Sequence, residues 1–505
     1  MYIVTAEEMY KIDRETIQTM GLDGKILMEN AGREASREIK KRITKEDKTV
    51  ILIGGGNNGG DGFVIARVLE EAGYAIKVIQ VAPDEKITGD AARHKKIYRQ
   101  FGGQVADYNE GTADTVLSEA DVIIDAMLGI GVRGGLRGDI LTVTRQVNKQ
   151  DAYVISIDIP TGLPAEEGFA DFQAIEADAT IMIGAVKQSA VCQQTSSYYG
   201  EWIVADIGFP EKLFQAHTKK RLWTTADFQE AFPKRGVNSH KGDHGKGLII
   251  GGSEPMPGSV LMTTKAALRT GAGLLTTASV KNVISMIAGN NPEAMYIGAS
   301  ETDGCITGID NIDLSGFDAI AVGVGLGRKE ETAKGIFPAL LRYKGPIVID
   351  ADGLFHLRAY AADFKLRQAP LILTPHPGEL AALMDISVSD LLMEPFRHSS
   401  DFAKRLNCYL VLKGKHTIIT DPDGNQTVES SGNPGLAKGG SGDVLTGMIL
   451  ATVMQSKSIF AGINNACFLH GKSADLLVQE EHSEQDLLAG DVIQGIPKAI
   501  RTFSS

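Results

Sequence analysis

Cysteine is scarce in this sequence: the chain of 505 residues has 4, at positions 192, 305, 408 and 467. They are far apart and form no CxxC pair, so the sequence predicts neither a disulfide framework nor a cysteine zinc site. We expect four buried thiols in a reducing compartment. No run of about 18 apolar residues occurs, which excludes a membrane-spanning helix. The opening residues MYIVTAEEMYKID lack a signal-peptide pattern, so we expect a cytoplasmic protein.

An excess of basic charge is also missing. The chain has 51 Lys and Arg against 63 Asp and Glu, a formal net charge of −12. This balance argues against a nucleic-acid binder, because no broad basic face is available to displace counterions. HExxH and P-loop patterns are absent as well. Glycine, in contrast, is abundant, with 57 residues clustered beside apolar runs, and such clusters are typical of backbone sites for phosphates.

Apolar runs alternate with helical patterns in the N-terminal part of the chain. Thr5 and Glu8 form a capping box for a first helix, and an apolar stripe from Leu27 to Ile43 predicts a second. A strand, a glycine turn and a helix follow within 49–73. Further strands are predicted at 76–81, 121–126, 153–158, 179–184 and 201–206. This alternation predicts a parallel sheet with helices on both faces.

A polar segment, 212–228, interrupts the alternation and predicts a domain boundary. Beyond it, strands are predicted at 246–253, 318–324, 346–350, 371–374, 408–413 and 416–420, with helices at 258–271, 330–343, 441–453 and 460–479. The predicted fold class is therefore α/β with two domains, residues 1–215 and 225–505.

The most conspicuous motif of the first domain is GGGNNGGDG, residues 54–62, between a strand and a helix. Backbone N–H groups and the helix dipole attract anions there. The alternative is a structural turn with Asp61 as the helix cap.

Two more polar loops follow strands of the same predicted sheet: DAMLGIGVRGG at 125–135 and SIDIPTGLP at 156–164. Ligands of open parallel sheets bind at the carboxyl ends of the strands, so Asn58, Asp125, Asp158 and Thr161 are expected at one rim. For any single Asp a turn is an alternative. Oxygen-rich side chains suit a hard cation such as K⁺ or Mg²⁺.

The strongest signal of the second domain is NPGLAKGGSGDVLTG, residues 433–447. Glycine N–H groups at the helix start would stabilise a transferring phosphoryl group, and Asp443 could accept a hydroxyl proton. The alternative is a first-turn carboxylate that only satisfies the dipole. The segments HGKGLIIGGS, GVGLG, TPHPGE and LKGKHT are each as compatible with turns or solvated charges as with sites.

Taken in this order, the motifs resemble the family of bifunctional NAD(P)H-hydrate repair enzymes. NNGGDG, the Asp125 loop and SIDIPTG are similar to its N-terminal epimerase. HGKGL, GVGLG, PHPGE, KGKHT and NPGLAKGGSGD are similar to its C-terminal dehydratase. The resemblance implies a Rossmann-like doubly wound sheet followed by a ribokinase-like domain. It also implies a metabolite-repair enzyme that interconverts R and S hydrates of NADH and NADPH and dehydrates the S form.

For the epimerase, the resemblance implies Asp158 as the catalytic carboxylate and a K⁺ ion held by Asn58, Asp125 and Thr161. The residues it implies for hydrate binding, besides Asp158, are Asn57, Asn58, Gly59, Gly60, Asp61, Gly129, Ile130, Gly131, Val132, Arg133, Gly134 and Gly135.

For the dehydratase, the resemblance implies Asp443 as the catalytic base, with Gly325 and His376 also contacting the hydrate. It implies an adenine nucleotide along Lys413, Gly414, Lys415, His416, Thr417 and Gly442. Mg²⁺ accompanies the nucleotide in the family, and the fusion of two halves favours ADP over ATP. A homo-oligomer with no nucleic-acid or membrane partner is expected.

Two other functions remain open at the level of sequence. The first domain could be a non-catalytic module like those of RNA-associated scaffolds, although Asn58, Asp125 and Asp158 together argue against it. The second could be a vitamin kinase, for instance for hydroxyethylthiazole. A kinase would release a phosphorylated alcohol, whereas a repair enzyme releases free phosphate and the reduced cofactor.

Overall fold

The computed structural model describes residues 1–131, 134–169 and 171–504. The chain forms two compact units, Met1–Lys220 and Arg221–Ser505. Within the described part of the chain, no helix is both long and apolar enough to cross a membrane. All four cysteines are free and buried.

The first unit contains seven α-helices and nine strands within its described residues. The helices are α1 (Ala6–Gln18), α2 (Gly24–Ile39), α3 (Asn57–Glu71), α4 (Gly89–Gln100), α5 (Glu110–Ser118), α6 (Gly138–Val147) and α7 (Glu211–His217). The strands are β1 (Tyr2–Val4), β2 (Thr49–Ile53), β3 (Ile76–Gln80), β4 (Val105–Asp107), β5 (Val122–Ala126), β6 (Tyr153–Ile157), β7 (Ala179–Ile183), β8 (Val186–Lys187) and β9 (Glu201–Ala205).

The main sheet of this unit has the order β4-β3-β2-β5-β6-β7-β9, and all its pairs are parallel. Strand order therefore reverses between β2 and β5, which is the switch point of a Rossmann-like doubly wound sheet and the usual place for a ligand. The predicted Rossmann-like fold is confirmed. A short parallel pair, β1 with β8, accompanies the sheet.

Local sequence explains how these elements begin and meet. The predicted capping box of Thr5 and Glu8 is present at the start of α1. The apolar stripe predicted up to Ile43 is helical only to Ile39, and Ile43 is buried just beyond the helix end. At the switch point, a Cβ on Gly54 would lie 1.8 Å from the Met127 carbonyl oxygen. Only glycine lets the loops that follow β2 and β5 come this close.

The second unit is also α/β. Its helices are α8 (Thr225–Ala231), α9 (Pro257–Arg269), α10 (Lys281–Ile287), α11 (Glu330–Arg342), α12 (Asp352–Leu357), α13 (Ala361–Phe364), α14 (Pro377–Met384), α15 (Val388–Met393), α16 (Pro395–Leu406), α17 (Ser441–Gln455), α18 (Ile459–Glu480) and α19 (Ala489–Phe503). Its strands follow β10 (Lys220–Leu222), which lies at the boundary, and are β11 (Lys246–Ile250), β12 (Leu274–Ser279), β13 (Met295–Gly298), β14 (Ser300–Thr302), β15 (Cys305–Gly308), β16 (Ala319–Val322), β17 (Ile347–Ile349), β18 (Leu371–Leu373), β19 (Tyr409–Leu412), β20 (Thr417–Thr420) and β21 (Gln426–Glu429).

The strands of this unit follow one another in the order β13-β12-β11-β16-β17-β18-β19-β20-β21. The pairs from β13 to β19 are parallel, and β20 and β21 add an antiparallel edge. Strands β14 and β15 form a separate antiparallel pair. The carboxyl ends of β16, β17 and β18 therefore lie side by side, close to the start of α17.

Helix α17 is the central helix of the second unit and is buried from Val444 to Val453. It packs on α9 at very short range, because a Cβ on Gly447 would lie 2.2 Å from the carbonyl oxygen of Thr263. Backbone cannot move aside as a flexible side chain does, so a larger residue forces the two helices apart.

Replacing Gly447 by alanine should therefore destabilise the second unit by about 1–3 kcal/mol, the usual cost of overpacking. The matched control is Gly490→Ala in α19. That glycine is also helical and has open space at its Cβ position, so alanine should be neutral or stabilising there. Urea unfolding of the two variants checks this; equal stability would contradict the close packing of α9 and α17.

Candidate active sites

A cavity of about 380 Å³ opens at the switch point of the first unit. Its walls come from helices α1, α2 and α3 and from the loops that follow β2, β5 and β6. Apolar side chains form much of the wall, and Asn58, Asp61 and Asp158 place polar groups in it. A mostly apolar cleft with a few convergent polar groups is typical of a small-molecule site.

Asp158 stands just after β6 with a φ of 68°, an uncommon backbone conformation for a residue other than glycine. One carboxylate oxygen, Oδ1, lies 2.5 Å from Nζ of Lys187 and accepts a hydrogen bond from the Ile183 amide at 3.3 Å. The other oxygen, Oδ2, faces Gly129, where a Cβ would lie 3.2 Å away. Asp158 is thus an ion-paired carboxylate with one oxygen directed to the cavity.

Asp61 lies in the first part of α3 and also lines the cavity. Burial, and then repulsion by Asp158, hold the pKa of its carboxyl well above the ordinary range. Asp13 of α1 is a third carboxyl in the wall, and burial raises its pKa as well. The interpretation of Asp61 as a helix cap is wrong, because α3 begins at Asn57 and its N-cap is Gly56.

Asp125 is completely buried at the end of β5. Its carboxylate accepts hydrogen bonds from the Thr161 hydroxyl at 2.7 Å, the Thr161 amide at 2.8 Å and the Ser156 hydroxyl at 2.9 Å. Burial nevertheless raises the pKa of Asp125. Asn58 donates to the Ile157 carbonyl at 3.0 Å, while its own buried Oδ1 accepts no hydrogen bond within the described residues. A buried amide oxygen without a donor is a group that a cation would satisfy.

The structure brings most of the residues predicted for the first site into one place. Asn57, Asn58, Asp61, Gly129, Ile130, Gly131 and Asp158 line the cavity. Gly59 and Gly60 lie behind the wall inside α3, and Gly134 and Gly135 are exposed and are not part of the wall. Val132 and Arg133 lie outside the described residues.

The corresponding centre of the second unit is the N-terminus of α17. Gly440 caps the helix with a left-handed φ of 91°, and Asp443 is in the first turn. The Ser259 hydroxyl donates to the Asp443 carboxylate. A Cβ on Gly325 would lie 3.0 Å from the Cβ of Ser259, so the GVGLG loop, the start of α9 and the start of α17 meet.

Beneath this helix start lies a buried ion pair. Lys413 Nζ is 3.0 Å from Oδ1 of Asp350, and the Thr446 hydroxyl donates to Oδ2 of Asp350 at 2.7 Å. Burial by itself would raise the pKa of Asp350, but Lys413 and Thr446 outweigh it and the net shift is downward. Lys413 also lies next to Gly442, where a Cβ would be 3.3 Å from Nζ.

Asp443 has a different charge environment from Asp350. Burial, and then the neighbouring Asp350, raise the pKa of Asp443 to about 6. A carboxylate with this pKa is mostly ionised at neutral pH and is a stronger base than an ordinary aspartate. It is therefore suited to accept a proton from a substrate hydroxyl.

His376 is the N-cap of α14, directly after β18. Its Nδ1 accepts hydrogen bonds from the amides of Gly378 at 3.0 Å and Glu379 at 3.3 Å. Burial raises the pKa of Glu379, which also interacts with the charges of Lys413 and Asp350. The PHPGE motif thus stands beside the same buried ion pair, with the His376 ring exposed.

The predicted nucleotide segment forms the turn between β19 and β20. Gly414 and Lys415 are exposed, and the Thr417 hydroxyl donates to the Gly414 carbonyl at 3.4 Å. The ring of His416, in contrast, is largely buried. Burial lowers the pKa of the ring to about 4, and Nδ1 has no hydrogen-bond partner within the described residues.

Sequence reasoning missed four residues of these sites: Asp13, Lys187, Ser259 and Asp350. Asp350 carried a usable signal, because it ends a predicted strand in the segment DADG. Lys187 carried none, since it ends a two-residue strand in an ordinary stretch of sequence.

Comparison with protein families gives a match for each unit. The family model for NAD(P)H-hydrate dehydratase matches residues 247–498, and the model for the N-terminus of YjeF-related proteins matches residues 24–189. Among curated proteins, a bifunctional NAD(P)H-hydrate repair enzyme of Moorella thermoacetica is 34% identical, covering 100% of this chain and 97% of the relative.

Solved structures resemble the second unit. An ADP/ATP-dependent NAD(P)H-hydrate dehydratase of Bacillus subtilis, co-crystallised with ATP and Mg²⁺, is 33% identical with a TM-score of 0.50, covering 56% of this chain and 98% of that one. A ribokinase-like superfamily protein of Enterococcus faecalis is 25% identical with a TM-score of 0.50, covering 57% and 97%.

These matches confirm the predicted ribokinase-like fold of the second half and the predicted enzyme class, an epimerase joined to a nucleotide-dependent dehydratase. By identity and coverage along its whole length, the chain belongs to the family of bifunctional NAD(P)H-hydrate repair enzymes.

Proposed function

We propose that residues 1–215 epimerise the R and S hydrates of NADH and NADPH, and that residues 225–505 dehydrate the S hydrate at the expense of ADP, yielding AMP and phosphate. The proposal depends most on one observation. Each unit holds, at the carboxyl edge of its sheet, a lysine-paired aspartate beside a second aspartate with a raised pKa. Such pairs are how proteins provide an acid and a base in one site.

In the epimerase site, Asp158 is the base. Lys187 holds one of its oxygens in an ion pair, and the oxygen that faces Gly129 is directed into the cavity. The loops at Asn57–Asp61 and Gly129–Gly131 line the same cavity and would hold the hydrate. The carbon that changes configuration carries a hydroxyl group, so removal of the hydroxyl proton is the step that Asp158 can perform.

We also propose that K⁺ binds at Asn58, Asp125 and Thr161. The unpaired Oδ1 of Asn58 and the buried carboxylate of Asp125 support this, and oxygen ligands suit a hard cation. Bound there, the ion would supply positive charge that offsets the burial of Asp125. No group of three or more His, Cys, Asp or Glu that could hold a metal ion occurs in residues 1–131, 134–169 and 171–504.

In the dehydratase site, hydroxide is a poor leaving group, so we propose that the substrate hydroxyl is first phosphorylated. Asp443 takes the hydroxyl proton while the oxygen attacks the terminal phosphoryl group of the nucleotide. Phosphate then leaves as the ring nitrogen donates its electron pair, and loss of a proton from C5 to the departing phosphate restores the C5–C6 double bond of the reduced cofactor. Amide N–H groups at the start of α17 face the transferring group and stabilise its charge.

The nucleotide would lie along the turn Lys413–Thr417 and against Gly442, where Lys413 brings positive charge under the helix start. Mg²⁺ would arrive with the phosphates, since this ion is usually held by one or two carboxylates together with phosphate oxygens. Because the epimerase and dehydratase domains are fused in one chain, we propose ADP as the phosphoryl donor. We also propose that the protein is cytoplasmic and that it forms a homo-oligomer.

Asp158→Asn should lower the rate of epimerisation by about 10²–10⁴-fold, because an amide cannot accept the proton. Consumption of pure R hydrate by the full chain with ADP measures this. Dehydration of pure S hydrate should be unchanged and serves as the folding control, and the exposed Asp139→Asn is the matched variant. Normal turnover of R hydrate by Asp158→Asn would exclude Asp158 as the base.

Replacing K⁺ by tetramethylammonium at constant ionic strength should slow epimerisation, because the larger cation cannot enter a site lined by Asn58 and Asp125. In Asn58→Ala the rate should become insensitive to K⁺. Epimerisation is followed across a K⁺ titration for each protein. An equal rate in tetramethylammonium, or an unchanged K⁺ response in the variant, would contradict the site.

Asp443→Asn should lower dehydration by about 10²–10⁴-fold with little change in ADP affinity, since the Lys413–Thr417 turn would carry most of that binding. In the wild type, kcat/KM should fall as the pH drops below about 6, because the pKa of Asp443 is raised to about 6 and the protonated form is not a base. Calorimetry gives ADP affinity, and phosphate release on S hydrate gives the rate. The exposed Asp363→Asn is the control. A wild-type rate in Asp443→Asn would show that Asp443 is only a carboxylate at the start of a helix and not the catalytic base.

A further inference from the structure

Two carboxyl groups, those of Asp61 and Asp158, line the first cavity, and that of Asp158 is ion-paired with the buried Lys187. We propose that Asp61 is the proton donor of epimerisation and acts opposite the carboxylate of Asp158. The inference rests on the proposed epimerase function of this unit and adds a second catalytic residue to it.

The ammonium group of Lys187 is paired with one of the two carboxyls, that of Asp158. The Lys187 side chain is 1% exposed, and Nζ donates hydrogen bonds to the carbonyls of Ile183 at 2.8 Å and Ala185 at 3.1 Å in addition to its ion pair with Asp158. Two backbone carbonyls and one carboxylate therefore surround the ammonium group. Lys187 therefore positions Asp158, and its charge only partly offsets the negative charge around Asp61.

Asp61 is surrounded by groups that favour its neutral form. It is 8% exposed, and Asp158 and Asp13 add negative charge around it while Lys187 adds a smaller opposing effect. Asp90 of α4 also lines the cavity. Two like charges in one desolvated cavity do not both ionise. The surroundings of Asp61 therefore favour its protonated form.

A helix-capping role does not account for Asp61. Helix α3 starts at Asn57 with Gly56 as its N-cap, so Asp61 lies in the second turn, where backbone amides are already bonded within the helix. A buried carboxyl in the middle of a helix is costly to stability unless it has another use. Because Asp61 lines the cavity, a role in catalysis accounts for this buried carboxyl.

The chemistry that fits this pair is reversible opening of the hydrate ring. Asp158 removes the proton of the C6 hydroxyl, the C6–N1 bond breaks, and its electron pair goes to N1, which takes the proton of Asp61. C6 becomes an aldehyde. Rotation about the C5–C6 bond presents the other face, N1 attacks it, Asp61 regains its proton, and Asp158 returns the hydroxyl proton. Atoms and charges balance, and no further reactant is needed.

Asp61→Asn is the first test, because an amide can donate a hydrogen bond but cannot transfer a proton. We expect kcat for epimerisation to fall by about 10²–10⁴-fold while KM for the hydrate changes only a few-fold. The variant should be as stable to heat as the wild type, since the uncharged amide replaces a neutral acid. A kcat equal to that of the wild type, with or without a higher KM, would overturn the proposal.

Chemical rescue is the second test and distinguishes an acid from a base. In Asp61→Ala, added acetic acid should restore the rate in proportion to the undissociated acid. In the matched variant Asp158→Gly, which suits the positive φ of that position, rescue should follow the acetate anion. Rescue of Asp61→Ala by the anion would overturn the proposal. If the wild-type chain itself does not epimerise the hydrates, the proposed function fails instead, so the two failures are distinguishable.

Discussion

A buried ion pair between a lysine and an aspartate sets the charge of each site, and the remaining chemistry depends on it. In the first unit the pair is Lys187 with Asp158, and in the second it is Lys413 with Asp350. A carboxylate that leaves water needs a cation or several donors, because burial otherwise forces it to take up a proton. Loss of either lysine would leave an uncompensated buried charge, which is far more damaging than loss of a surface pair.

The consequence for each site is a second carboxyl that the lysine does not neutralise. The Ser259 hydroxyl and the charge of Lys413 stabilise the ionised form of Asp443, so its pKa rises only to about 6. Asp61 has weaker compensation, and its pKa is held well above the ordinary range. The same principle therefore gives opposite roles: Asp443 is ionised at neutral pH and can act as a base, whereas Asp61 keeps a proton that it can give. Environment, and not residue type, separates the two roles.

Most of the fold could be predicted from the sequence, because strands that end in glycine loops alternate with helices in a regular way. The polar loops at Asn58, Asp125 and Asp158 could be placed at one rim because parallel strands share a carboxyl edge. Lys187 could not be found, since its role arises only when β7 and β8 fold next to β6. The sequence suggests Asp61 as a helix cap because it does not fix the residue at which a helix begins. In the structure α3 begins at Asn57, so Asp61 lies inside the helix and lines the cavity.

Backbone geometry explains why these carboxylates meet where they do. Asp158 has a φ of 68°, and Ala351, the residue after Asp350, has a φ of 49°. Residues other than glycine held in this region cost of order 1–3 kcal/mol and persist where the surrounding structure enforces them. At Asp158, the sharp turn after β6 brings Oδ1 to Lys187 and leaves Oδ2 facing Gly129. Part of the abundant glycine thus makes room for the catalytic carboxylate, so the glycine clusters need not all be phosphate sites.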